Sequence, residues 1–213
     1  GVFGLMGAGR STLARTIFGY YKPTAGTMKL EGKELNIKNC QDAISAGIAY
    51  LPSERKTEGL VLIQSIKDNI VMASLKKISG KSGVISKEKE TQTAKKWIEK
   101  LGIKTPGDEV ELRTLSGGNQ QKVAIAKWLN TDCKVIIFNE PTRGIDVNAK
   151  YEVYKVMKEI CAMGYGIIMI SSELPEVLGI ADRILVMRDG EIVAETEVNT
   201  TGQQELLQYA LGN

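Results

Sequence analysis

The sequence predicts an α/β fold whose sheet is mostly parallel and covered by helices on both faces. Three observations carry that prediction. Short apolar runs, such as 135–138 and Gly166–Ile170, alternate with segments of helical periodicity, as buried parallel strands joined by helices do. A glycine-rich loop stands between the first strand-like segment and the first helix-like one. Of the 213 residues, 43% are hydrophobic and 25% charged, an ordinary globular composition that argues against disorder.

The elements follow in order. Residues 1–20 read as strand, glycine loop and helix, with Leu13, Ala14, Ile17 and Phe18 at helical spacing and Gly19 as the stop. Residues 27–35 read as a hairpin turning at Glu31-Gly32. Ile48–Leu51 is a short strand stopped by Pro52. The next stretch is lysine-rich and mostly helical, broken at Gly80, Gly83 and Thr105-Pro106-Gly107. Within 87–101, Ala94, Trp97, Ile98 and Leu101 share one face, which makes Trp97 a core residue, and Trp128 reads the same way. A helix over roughly 119–130 leads to the strand 135–138. The following helix has Val153, Val156, Met157, Ile160 and Cys161 on its apolar stripe. The strand Gly166–Ile170, a hairpin at Asp189-Gly190 and a closing helix complete the chain. Residues 1–213 are expected to form one domain, with its core in 1–60 and 119–213 and a helical subdomain over 61–118. The chain opens at Gly1-Val2-Phe3-Gly4, inside a strand, so an N-terminal truncation is expected.

Composition removes several function classes. Lys plus Arg is 28 against 25 Asp plus Glu, a net charge of +3 with no dense basic block, so a nucleic-acid or anionic-membrane surface is not indicated. There is no histidine, which excludes Ser-His-Asp triads, histidine general bases and histidine metal sites. Cys40, Cys133 and Cys161 are far apart and form no CxxC pair, the usage of a reduced chain. No apolar run approaches the ~20 residues of a membrane span.

Three constellations carry chemistry. Gly4-Leu5-Met6-Gly7-Ala8-Gly9-Arg10-Ser11-Thr12 is a G-x-x-x-x-G-K-[ST] phosphate loop with arginine in place of lysine. Its glycines let backbone N–H groups ring an anion, and the helix start behind them adds a positive dipole end. Ser11 stands where the hydroxyl ligand of Mg²⁺ belongs, with Thr12 beside it. Arg10 keeps the charge but replaces a compact ammonium by a planar fork. The second is Leu115-Ser116-Gly117-Gly118-Asn119-Gln120, a hydroxyl and open amides at a helix start that also suit an anion. The third is the strand 135–138 running into Asn139-Glu140-Pro141-Thr142-Arg143-Gly144-Ile145-Asp146. A carboxylate at the C-terminal end of a buried strand is well placed beside a nucleotide in an open α/β sheet.

In this order the three runs resemble an ATP-binding-cassette (ABC) ATPase, over essentially the whole chain. GLMGAGR, LSGGNQQ and EPTRGIDV look like the C-terminal cassette of the duplicated ATPases of monosaccharide importers, of the ribose, xylose and galactose type. The resemblance implies a P-loop NTPase core of the RecA-like kind with an ABC-type helical subdomain, lacking the N-terminal antiparallel strands and adenine-stacking aromatic. It implies ATP and Mg²⁺ as ligands, and head-to-tail pairing with the N-terminal cassette of the same protein. Each ATP is then sandwiched between one cassette's phosphate loop and the other's signature run. It further implies an integral-membrane permease, a periplasmic or lipoprotein sugar-binding protein reached indirectly, no nucleic acid, and a peripheral place on the cytoplasmic face of a bacterial inner membrane. Glu140 is the expected catalytic residue that polarises the attacking water. Asp146 matches a loop that crosses to the partner, although an ordinary helix N-cap is its plainer reading.

Four positions depart from the general cassette pattern. Arg10 replaces the loop lysine, Ser53 the glutamine, Ser172 the histidine that senses the γ-phosphate, and Asn139 the aspartate that supports Mg²⁺. The last change removes a negative charge beside a dication, so weaker metal binding is expected. The sequence thus predicts an ATPase with a degenerate site of its own, weakly active alone, whose intact signature run serves its partner. A non-hydrolysing regulatory cassette, a nucleoside or autoinducer importer ATPase, and a soluble cassette of translation or DNA repair remain alternatives.

Overall fold

A computed structural model of the chain describes residues 1–80 and 83–212. In chain order, β1 (Val2–Gly4) leads to α1 (Arg10–Ile17), the hairpin β2 (Met28–Leu30) and β3 (Lys33–Leu35), α2 (Cys40–Ser45) and β4 (Ile48–Leu51). A π-helical turn, Arg55–Gly59, precedes α3 (Ile66–Val71), α4 (Leu75–Ile78), α5 (Lys87–Lys100) and α6 (Gly117–Leu129). Then come β5 (Val135–Asn139), α7 (Val147–Ala162), β6 (Gly166–Ile170), α8 (Leu174–Ile180), β7 (Arg183–Arg188), β8 (Glu191–Glu197) and α9 (Gln203–Leu211).

Two units make up these elements: one from Gly1–Tyr50, Lys134–Pro141 and Gly164 onward, the other from Leu51–Cys133 and Thr142–Met163. The first contains a six-stranded sheet in the order β4-β5-β6-β1-β7-β8. β1 pairs parallel with β6 and β7, β5 pairs parallel with β6, and β8 closes the edge antiparallel to β7. This is the predicted mostly parallel α/β architecture. Val2, Phe3, Ile136, Ile137, Phe138, Met169, Ile170 and Ile184 are buried, which explains why β1, β5 and β6 read as continuous apolar runs rather than alternating ones. Both hairpins turn where expected. Glu31 and Gly32, and likewise Asp189 and Gly190, all have positive φ, as a tight hairpin turn requires.

Because β1, β5 and β6 run parallel, their C-terminal ends share one edge. The loop after Gly4, the Asn139-Glu140 step and Ser171-Ser172 therefore open on that edge, the usual ligand edge of such sheets. The ladder continues past the strands, since the Glu140 N–H donates to the Ile170 carbonyl at 2.8 Å and that of Ser171 to Val2 at 3.2 Å.

The second unit is helical. Ile66, Ile70, Leu112, Val123, Ile125, Val153, Met157 and Ile160 are buried in it. Ala94 and Trp97 on α5 and Leu101 just past its end are buried as expected, with Ile98 half-buried, and Trp128 on α6 is buried too. Cys161 is a correction: it is exposed, because the α7 stripe ends at Ile160. The helix placed at 119–130 begins two residues earlier, at Gly117. The expected helical subdomain, 61–118, lies within this unit, which also takes in α6 and α7 because α6 packs on both α3 and α7. Among the described residues no helix is long and apolar enough to cross a membrane.

Candidate functional site

The phosphate loop is shaped by its glycines. A Cβ on Gly4 would run into the Met187 carbonyl oxygen of the neighbouring strand, so the strand can turn into the loop only without a side chain. Gly7 and Gly9 have φ of +87° and +93°, conformations that L side chains resist. The Gly190 N–H donates to the Ala8 carbonyl at 3.1 Å, tying the loop to the β7–β8 turn. Gly9 is the N-cap residue of α1 and supplies no side-chain cap. The first-turn amides of α1 are therefore left for an external anion. Ser11 and Thr12, in that first turn, are exposed.

Arg10 does not point outward. It is buried, and its Nη1 lies 3.0 Å from Glu140 Oε1. Ser172 donates to the other oxygen, Oε2, from both its N–H at 3.2 Å and its hydroxyl at 3.1 Å. Both carboxylate oxygens of Glu140 are thus engaged. Glu140 itself has φ +50°, a sparsely populated conformation for a residue with a Cβ, of the kind that clusters at functional sites.

Beside this pair, the Ser11 hydroxyl and the Asn139 side-chain amide lie within 3.3 Å, and the amide nitrogen donates to the Tyr50 hydroxyl at 3.1 Å. Asn139 and Tyr50 are both buried. Mg²⁺ takes six oxygens in octahedral geometry and is usually held by one or two carboxylates plus phosphates and water. Here the Ser11 hydroxyl and the Asn139 amide oxygen fit as neutral ligands. Among the described residues no cluster of three acidic or cysteine groups could hold a metal ion. A divalent cation would therefore depend on the oxygens of a bound polyphosphate. Tyr50 was not singled out by sequence; the available signal was a hydroxyl near the end of an otherwise apolar strand.

The other predicted site residues lie in the helical unit. Ser116 is exposed and is the N-cap of α6, its hydroxyl accepting from Asn119. Leu115, Gly118 and Gln120 are buried, and the Gln120 amide donates back to the Leu115 carbonyl at 3.0 Å. Asp146 caps α7 by accepting from the Ala149 N–H at 2.9 Å, the plainer of its two expected readings. Ser53 sits half-buried between β4 and the π-helical turn. Arg143, exposed, pairs with Glu54 at 2.7 Å. Lys127 is buried on α6 and donates to the Gly59 carbonyl at 2.6 Å. Burial lowers its pKa from 10.5 to about 8.

The ABC transporter family profile matches residues 1–143. The chain is 48% identical over 212 residues to the putative ribose/galactose/methyl galactoside import ATP-binding protein 1 of Agrobacterium fabrum (strain C58 / ATCC 33970), a match spanning 100% of this chain and 42% of that protein. It is equally 48% identical over 212 residues to the ribose import ATP-binding protein RbsA of Clostridium perfringens (strain 13 / Type A), with the same coverage. The chain therefore spans about two-fifths of the length of these relatives. Among solved structures, a nucleotide-free ATP-binding cassette from an ABC transporter superposes with a TM-score of 0.80 at 24% identity, over 100% of this chain and 83% of that one. A dimeric ATP-binding cassette bound to ADP and Pi superposes at 0.77 with 20% identity, over 92% and 84% of the two chains. With a P-loop NTPase sheet, a matching profile and whole-chain likeness to sugar-import ATP-binding proteins, this chain belongs to the ABC transporter family.

Proposed function

We propose that the chain is an ATP-binding and ATP-hydrolysing cassette that energises import of a monosaccharide, with a weakened site of its own and a signature run that serves a partner cassette. The observation that carries this reading is the self-engaged site: Arg10 on one oxygen of Glu140 and Ser172 on the other. Neutral Asn139 beside Ser11 supports it further.

ATP phosphates occupy the ring of amides over 4–12, with the first turn of α1 against their charge. Arg10 leaves Glu140 to meet a phosphate, and Glu140, released, orients a water toward the γ-phosphorus and draws on its proton as the bond to the bridging oxygen breaks. Mg²⁺, when bound, neutralises charge on the transferring group. Each departure works against this sequence. The ion pair must first open in a partly buried place, where parting a charged pair is costly. Asn139 adds no negative charge to hold the metal. Ser172 can donate or accept toward a phosphate but carries no charge.

The partner is the N-terminal cassette of the same protein. The relatives extend well beyond the matched stretch, which is consistent with a second cassette. Ser116, Gly117 and Gly118 would face the partner's nucleotide, with Asp146 on the crossing loop. An integral-membrane permease receives the work at 61–118, a binding protein delivers the sugar, and the cassette sits at the cytoplasmic membrane face.

The test is titration of the chain with ATP, with and without Mg²⁺, beside Asn139→Asp. The expected result is weak, nearly metal-independent binding that becomes metal-dependent in the variant, together with very slow hydrolysis. Brisk turnover by the isolated chain, lost in Glu140→Gln, would contradict the weakened site. A regulatory cassette is the second reading, favoured by the same engaged Glu140. Replacing Ser116 in the two-cassette protein separates the two, since only the regulatory reading leaves ATPase rate and transport unchanged.

A further inference from the structure

The helical unit contains a buried guanidinium with no assigned task. Arg55, 7% exposed, opens the π-helical turn. Its Nη1 donates to the Arg143 carbonyl at 2.7 Å and its Nη2 to the Gly144 carbonyl at 3.2 Å. Its Nε is buried and has no hydrogen-bond partner among the described residues. Leaving a charged donor dry is costly, so the side chain is positioned for its Nη bonds at the expense of Nε. The same fork abuts the signature run. A Cβ built on Gly117 would lie 2.8 Å from Arg55 Nη2, closer than to Ile145 Cγ2 at 3.1 Å or the Gly144 carbonyl at 3.4 Å. The far end of the turn is fixed too, because the Gly59 carbonyl accepts from Lys127 on α6. π-Helical turns are rare and often mark functional places.

The geometry points to Arg55 as a positioning residue that latches the loop between Pro141 and Asp146 to the signature run at Gly117. Arg55 touches neither nucleotide nor metal in this role and acts through the backbone it holds. The inference rests on the proposed use of the signature run and of Asp146 toward a partner cassette. Two neighbouring carbonyls require two directed donors. An arginine fork supplies them, whereas a lysine ammonium meets one carbonyl well and the other poorly. The nearby Glu54–Arg143 pair has side chains 50% and 62% exposed, and ion pairs that wet contribute little. Arg55 is therefore a firmer fastening than that pair. Gly117 is glycine here for a reason internal to this chain: any Cβ displaces the guanidinium.

The test uses the 213-residue chain without nucleotide, as wild type, Arg55→Lys, Arg55→Met, Gly117→Ala and the double variant Arg55→Met/Gly117→Ala. A guanidinium held by two carbonyls rotates slowly and gives two resolved Nη ¹⁵N signals, which disappear in Arg55→Lys and assign themselves. Gly117→Ala is expected to collapse them to one averaged signal. Amide exchange at Ile145 is expected to rise about tenfold in Arg55→Met, the scale of one charge-assisted hydrogen bond, and about threefold in Arg55→Lys. Gly117→Ala should match Arg55→Met, and the double variant should add nothing further. An averaged Nη signal in the wild type, Ile145 exchange within twofold of wild type in folded Arg55→Met, or additive effects in the double variant would each overturn the latch. If Arg55→Met does not fold, the wild-type Nη spectrum and the Lys and Gly117 variants decide alone. Nucleotide titration is read separately, so a chain that binds no ATP removes the functional reading while these signals still judge the latch.

Discussion

Two glycine-rich helix starts in this chain look alike in sequence and differ in physics. At 4–12, α1 begins behind a left-handed glycine with no side-chain cap, so its amides are left for an anion. At 115–120, α6 begins behind Ser116, whose hydroxyl already accepts from Asn119. The first loop carries altered side chains that close on one another, Arg10 on Glu140 and Ser11 on Asn139. The second keeps its motif, and a Cβ at Gly117 would meet the Arg55 guanidinium. A helix start can thus be built to bind an anion itself or to be presented, self-satisfied, to something else. The spacing of glycines alone does not tell the two apart; the cap does.

The largest expected effect probes the first start. Gly4→Ala drives a methyl into the Met187 carbonyl and should cost about 3 kcal/mol, read as a lower urea midpoint with loss of nucleotide binding. The corresponding change at the second, Gly117→Ala, meets the tip of a side chain instead and should leave the midpoint closer to wild type. The next effect sharpens the second start through the far end of its helix. The Lys127 pKa is about 8 in the folded chain against an ordinary 10.5. Between those values the unfolded chain keeps a proton that the folded chain has lost, so stability rises with pH across that window and is flat below about 8 from this group. The rise is at most about 3 kcal/mol, and the gain in unfolding free energy from urea titrations between pH 7.5 and 10 should be smaller in Lys127→Met by up to that amount. Ser116→Ala removes the α6 cap and should cost about 1 kcal/mol by the same measurement. The smallest effect is at Glu54→Gln, which loosens an exposed pair and should change stability by less than about 1 kcal/mol.

How much of this was legible differs between the units. The sheet strands and the hairpin turns were readable because buried parallel strands are apolar runs and Asp189-Gly190 and Glu31-Gly32 have turn chemistry. α2 and α8, of six and seven residues, were not, since two turns give periodicity too little length to register. Strand order was also hidden, because parallel pairings join segments far apart in the chain. In the site, Arg10, Ser11, Asn139, Glu140 and Ser172 are recognisable by motif, and the structure brings Arg10 and Ser172 onto Glu140, and Ser11 onto Asn139, at hydrogen-bond distance. The closure of Arg10 onto Glu140 was not legible, since a loop cation is expected to face phosphate. Tyr50 and Arg55 reach partners 89 and 88 residues away, and nothing in local pattern announces such contacts.

On the proposed reading, the α1 amides stay open while the loop cation Arg10 is held by Glu140 until a polyphosphate competes for it. Calorimetric titration of ATP into the wild type and into Glu140→Gln tests it directly. Removing the carboxylate charge frees Arg10 for phosphate, so the affinity should rise about tenfold, the worth of one charge-assisted contact. An affinity that is unchanged or lower in folded Glu140→Gln would contradict the account.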